Sequence, residues 1–131
     1  MANDNVILFV DTSVNLNPQN VDQYCNFGQA SGTNEDYTTT VNVGDTVTWS
    51  GRSSSLQPPN SPPVSVSITK IQYDGGSEVF QDSVLNGTGN PQTVTGTVQN
   101  NTGGEDETYT IFFTVSNQNG TFHIDPKIQV N

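Results

Sequence analysis

Residues 108 to 131 read TYTIFFTVSNQNGTFHIDPKIQVN. In an extended chain, side chains alternate between two faces, so Tyr109, Ile111, Phe113 and Val115 fall on one side. An Asn- and Gly-rich turn follows, then a second short strand, an Asp-Pro step and a final strand. This pattern predicts an antiparallel hairpin that closes the core of a β-protein at its C-terminus.

The rest of the chain has the same character. Residues 5–11, NVILFVD, are apolar on both faces and predict a central strand buried on both sides. Residues 37–51, YTTTVNVGDTVTWSG, predict two strands, or one bent strand, about Gly44-Asp45. Trp49 shares spacing with Val47 and belongs to the core. In residues 64–73, VSVSITKIQY, the apolar phase slips between Ile68 and Ile71, which predicts a bulge near Thr69-Lys70. Asp74-Gly75-Gly76 marks a turn, with SEVF a short strand after it. Residues 81–91 read as loop and PQTVTGTVQN as an edge strand. Pro58, Pro59, Pro62 and Pro63 place residues 52–63 in an extended exposed loop. No segment carries helical periodicity of useful length. The prediction is an all-β chain of about eight strands in an antiparallel two-sheet β-sandwich, whether Ig-like, cupredoxin-like or jelly-roll. Residues 1–131 form one domain, a length that buries a core without staples.

Charge narrows the partners. Thirteen acidic residues face only three basic ones, for a net charge of −10. Such a surface repels phosphate backbones and anionic membranes, so neither nucleic acid nor a membrane is expected as a partner. The start, MANDNVILFV, has no basic region, and its apolar run is too short for a signal or a span. The expectation is a cytoplasmic chain.

Most catalytic and cofactor chemistry lacks its residues. With one cysteine and one histidine, a type 1 copper centre cannot be assembled, and no phosphate-cradling or dinucleotide-binding glycine motif follows a strand. Cys25 lies in VDQYCNFG, without a basic neighbour to lower its pKa. A triad would depend on His123, which is expected to face outward between inward Phe122 and Ile124. No catalysis is expected.

Oxygen ligands are plentiful, so calcium is the metal to consider. The NED and EDE clusters read as solvated loop tips. Asp11 and Asp125 are sharper, because each ends an apolar strand. There a carboxylate caps backbone N–H groups, ligates an ion or accepts from a sugar hydroxyl. Residues 12–36 form a long polar connection of the kind that often carries function, with Tyr24 and Phe27 pinning it to the body. The candidate ligand-binding residues are Asp11, Asn15, Tyr24, Tyr37 and Asp125, with Asp11 and Asp125 as candidate metal ligands. The tyrosines would supply the ring faces on which sugars pack.

Four pieces in order, NVILFVDTS, VNVGDTVTWSG, VSVSITKIQYDGGSEVF and YTIFFTV…FHIDPKIQV, resemble the AidA/PixA family of bacterial inclusion-body proteins. The matching residues are Asp11-Thr12, Val43 to Val47, and Asp125-Pro126 with Ile128 and Val130. The chain departs from the family in having His-Ile before Asp-Pro, and a single Met where some relatives are Met-rich. The resemblance implies a cytoplasmic β-sandwich without established catalysis, and sugar binding in some members. Two functional expectations follow. The first is a non-enzymatic binding or assembly module, homo-oligomeric and lectin-like, taking glycans with calcium. The alternative is a structural or storage protein of inclusion bodies that self-assembles without a ligand.

Overall fold

The computed structural model describes residues 2–29, 32–55, 63–74, 79–80 and 82–131. Two sheets pack face to face. The first has strand order β2-β1-β4-β8-β7. Its strands are β1 (Asn3–Val10), β2 (Cys25–Asn26), β4 (Thr46–Ser53), β7 (Thr88–Gly89) and β8 (Gln92–Thr97). The second has order β3-β11-β9-β5-β6, with β10 also paired to β9. It comprises β3 (Thr38–Val41), β5 (Val66–Tyr73), β6 (Val84–Asn86), β9 (Asp106–Val115), β10 (Phe122–Ile124) and β11 (Lys127–Val130). A 3-10 turn, Val21–Tyr24, interrupts the long connection after β1.

The two-sheet all-β sandwich expected from the sequence is the architecture observed. Its pairing is mixed where antiparallel pairing throughout is expected. β1 runs parallel to β4 from Asn3↔Thr46 to Val10↔Ser53, and β11 runs parallel to β3. Side-chain alternation reports which face is buried and carries no record of strand direction, so parallel pairs are invisible to it. Residues 81–91 hold the short strands β6 and β7 where a loop is expected. They are too short for alternation to register. Pro58, Pro59 and Pro62 lie outside the described residues, and Pro63 is exposed.

Tyr109, Ile111, Phe113 and Val115 all face the core and are buried, as the alternation requires. The register of β5 against β9 slips between Ile68 and Lys70, which places the predicted bulge at Thr69 and keeps Ile71 and Tyr73 inside. β1 differs from expectation. Val6, Leu8 and Val10 are buried, but Ile7 and Phe9 on the other face remain half-exposed, because no further layer covers that face among the described residues. Trp49 is 1% exposed and spans the core, its Nε1 donating to the Tyr109 hydroxyl of the opposite sheet at 3.0 Å.

Gly44-Asp45 forms a corner that carries the chain from β3 in one sheet to β4 in the other. Gly44 sits at φ +96°, where a side chain is strained. Asp45 is buried. Its Oδ2 accepts from the Asn42 backbone N–H and its Oδ1 from the Ala2 N–H, both at 2.9 Å. One carboxylate thus ties the corner to the start of β1. The Ala2 and Asn42 hydrogen bonds hold the Asp45 carboxyl below its ordinary value of 3.8. A depressed folded-state pKa contributes stability that is present above pH 3.8 and lost as pH falls through the folded value. Asp45→Ala is therefore expected to lower the melting midpoint by several degrees at pH 7 and by less below pH 3.8, as calorimetry across that range would show.

Candidate functional site

The predicted site residues occupy two separate regions. Asp11 ends β1. Its Oδ1 accepts from the Ser13 backbone N–H at 3.1 Å, the Ser13 hydroxyl at 2.6 Å and the Ser55 hydroxyl at 2.6 Å. The Ser13 hydroxyl, then the Ser55 hydroxyl, lower its pKa by favouring the charged form. This is the capping role weighed for Asp11 from sequence. Tyr24 is adjacent: its carbonyl accepts from Asp11 N–H at 2.9 Å, and its half-buried ring packs on the core. Asn15 is exposed nearby, and its carbonyl accepts from Asn20 Nδ2. Thr12 and Val14 carbonyls accept from Asn117 and Gln118 at the far end of β9.

Asp125 lies elsewhere. β10 aligns Ile124 with Ile111, and the Tyr109 N–H donates to the Pro126 carbonyl, which sets Asp125 beside Thr110. Thr110 and Asn117 are separated by on the order of 20 Å of extended chain. Asp11 and Asp125 therefore do not share an ion site. Tyr37 belongs with Asp125 in position, since its carbonyl accepts from Lys127 N–H. Its ring lies flat on Phe27, with centroids 4.5 Å apart, so one ring face is already covered.

Asp125 sits on the outer face of the second sheet. The Thr110 hydroxyl lies 2.8 Å from Asp125 Oδ1 and 2.6 Å from Asp74 Oδ2. A hydroxyl has one proton, so it donates to one carboxylate at a time. Thr110 thus links the end of β5 to the β10–β11 step. Two residues along the same face, Phe112 stands between Lys70, whose Nζ is 4.3 Å from the ring centroid, and His123. His123 faces outward, as expected, with its Nδ1 3.9 Å from Asp125 Oδ1. Among the described residues His123 makes no hydrogen bond to a hydroxyl or thiol. Nor does any group of three or more His, Cys, Asp or Glu among them have the arrangement to hold a metal ion.

A cleft of about 540 Å³ is lined by Asp22, Gln23, Asn26, Gln29, Thr33 and Asn34 of the long connection, among others. Asn34 organises it and was legible only as part of a solvated NED tip. It is 5% exposed. Its Nδ2 donates to the Cys25 carbonyl at 2.9 Å and to Asp22, while its Oδ1 accepts from Gln29. A buried side-chain amide sits only where its oxygen and nitrogen both find partners, and single-sequence composition does not reveal such a place. The Cys25 thiol beside the cleft is buried. Burial first, and then the charge of Asp22, push its pKa up to about 12, so it is not poised as a nucleophile.

No family model and no curated protein matches the chain in sequence. Solved structures do match in shape. One is the crystal structure of an inclusion body protein, PixA, from Burkholderia cenocepacia. It aligns over 99% of this chain and 96% of its own, with a TM-score of 0.64 and 15% identity. The chain has the fold of that inclusion body protein across its whole length. Among the described residues no helix is long and apolar enough to cross a membrane.

Proposed function

We propose that this chain is a structural or storage protein of the inclusion-body type, whose folded sandwiches self-assemble without a ligand. The whole-length match to an inclusion body protein carries this reading. The internal engagement of the polar groups supports it. Asp11, Asp45, Asn34 and Thr110 all direct their oxygens or amide at the chain itself. Assembly must overcome the repulsion of a net charge of −10. It is therefore expected to appear when that charge is screened by salt or titrated toward the isoelectric point of about 4.1.

Light scattering on concentrated protein tests the proposal. Scattering should rise reversibly as salt is raised or pH is lowered to about 4.5, equally with and without chelator. A monomer throughout, at several hundred micromolar, would refute it.

A second reading, a glycan-binding module with calcium, draws support from the polar cleft of the long connection. Titration calorimetry with glycan pools, with and without calcium, decides it. Heat that disappears in Asn34→Ala and Gln29→Ala variants would favour it, and no heat under either condition would remove it.

A further inference from the structure

We propose that the open edge of β1 is a contact between copies of this chain, formed by antiparallel pairing of β1 with β1 of a second copy. The proposal rests on the self-assembly reading and names one surface that takes part in it, a two-fold contact that joins copies in pairs. β1 is paired with β4 along all eight of its residues, but on its other side β2 covers only Phe9 and Val10. In a parallel pair, successive residues bond to alternate edges. The Ala2 and Val10 carbonyls accept from Thr46 and Ser54 in or beyond β4, which assigns the even residues to that side. The Asp11 N–H donates to Tyr24 on the opposite side. The backbone groups of Asn3, Asn5 and Ile7 thus point away from β4, and no described strand pairs with them.

Of the devices that usually block pairing, this edge carries one, the inward-pointing Asp4. It holds no proline, no lysine and no bulge between Asn3 and Phe9. The terminal strands β2 and β7 have two residues each and β6 has three. In a chain of net charge −10, the outward-facing side chains of β1 are Asn3, Asn5, Ile7 and Phe9, all uncharged. A second copy of so acidic a protein can approach here without stacking carboxylates. Half-exposed Ile7 and Phe9 continue the contact onto the outer face of the sheet.

The unpaired stretch runs from Asn3 to Ile7, so its centre is Asn5. A two-fold axis there pairs Asn5 with Asn5 and Asn3 with Ile7 of the second copy, exchanging about six backbone hydrogen bonds. Asp4, the strand's one charge, points inward. It would lie diagonal to its counterpart, which makes the pairing dependent on salt. Five residues a side bury less than the roughly 1,200 Å² of a stable interface, so the contact belongs to the weak class that forms at high protein concentration.

The test uses the full chain under conditions where scattering rises. An Asn5→Cys variant should form a disulfide-linked dimer on mild oxidation, since the pairing brings the two residues to about 5.5 Å between Cα atoms. Thr95→Cys, exposed on the same sheet but two strands inward, should not. The native Cys25 is buried and stays out of the reaction. Ile7→Lys should weaken dimerisation at least tenfold by sedimentation. Asn5→Pro should do the same while folding normally, because it removes only an N–H that faces the open edge. If the parent chain assembles but Asn5→Cys links no better than Thr95→Cys, the edge is the wrong surface and self-assembly stands. Undiminished dimerisation of folded Ile7→Lys and Asn5→Pro leads to the same conclusion. If the parent chain never assembles, the self-assembly reading falls and the edge contact with it.

Discussion

Trp49→Ala should lose about 3–5 kcal/mol of folding stability, the range for deleting a large buried aromatic and leaving a cavity. A single domain is held by only about 5–15 kcal/mol, so the melting midpoint should fall by on the order of 15 °C. Trp49 occupies the centre of the interface between the sheets. Its ring meets Phe80 edge-on, with centroids 5.3 Å apart, and Tyr109 at 5.7 Å. Its Nε1 donates to the buried Tyr109 hydroxyl at 3.0 Å, a polar link across the core between its two largest buried side chains. Burial drives the Tyr109 pKa up, so the phenol stays neutral and keeps accepting this bond over the whole working pH range. Tyr109→Phe removes the acceptor and strands the indole N–H. The expected loss is smaller, about 1–3 kcal/mol. Urea unfolding of both variants checks the order; a Tyr109→Phe loss equal to that of Trp49→Ala would contradict it.

Gly51→Ala should cost about 1–3 kcal/mol, through overpacking rather than a cavity. Gly51 faces the core from β4, directly over β5. A Cβ there would stand 2.4 Å from Val66 Cγ1, 2.8 Å from Val66 Cβ and 3.0 Å from the Val66 carbonyl oxygen. The first two contacts end on a side chain that can be shortened. Val66→Ala should therefore relieve Gly51→Ala in part, and the double variant should lose less than the sum of the singles. Simple additivity in a thermal-unfolding cycle would mean that the two strands do not approach this closely.

The faces of the strands were legible in the sequence because burial writes itself as period-two alternation. The alternation of Tyr109 to Val115 and the phase slip at Thr69 both appear in the structure where the pattern puts them. Strand partners were not legible. The parallel pairing of β1 with β4 joins segments some forty residues apart through a connection with no regular period. β7, with two residues, is below what any pattern resolves.

The polar residues divide along the same line. Asp11 follows its own strand, and its bonds to Ser13 are local, so the capping role could be read. Asp45 bonds locally to Asn42 but also to Ala2 in a distant segment. The Asn34, Thr110 and Asp74 contacts join segments that only the fold brings together. Asp125 is legible because it stands at the end of an apolar strand. Its partner Thr110 carries no signal, because a threonine in an alternating strand reads as an ordinary outward residue.

Trp49 also gives the measurement on which self-assembly of folded sandwiches depends. It is the chain's single tryptophan, and it is 1% exposed. Its emission should be recorded as salt is raised through the scattering transition and then diluted back. If intact sandwiches assemble, the emission maximum stays at its short-wavelength, buried position in both states, and the assemblies redissolve on dilution. A shift toward the water-exposed maximum on assembly, or material that does not redissolve, would mean that the chain associates by unfolding and that the inclusion-type reading is wrong.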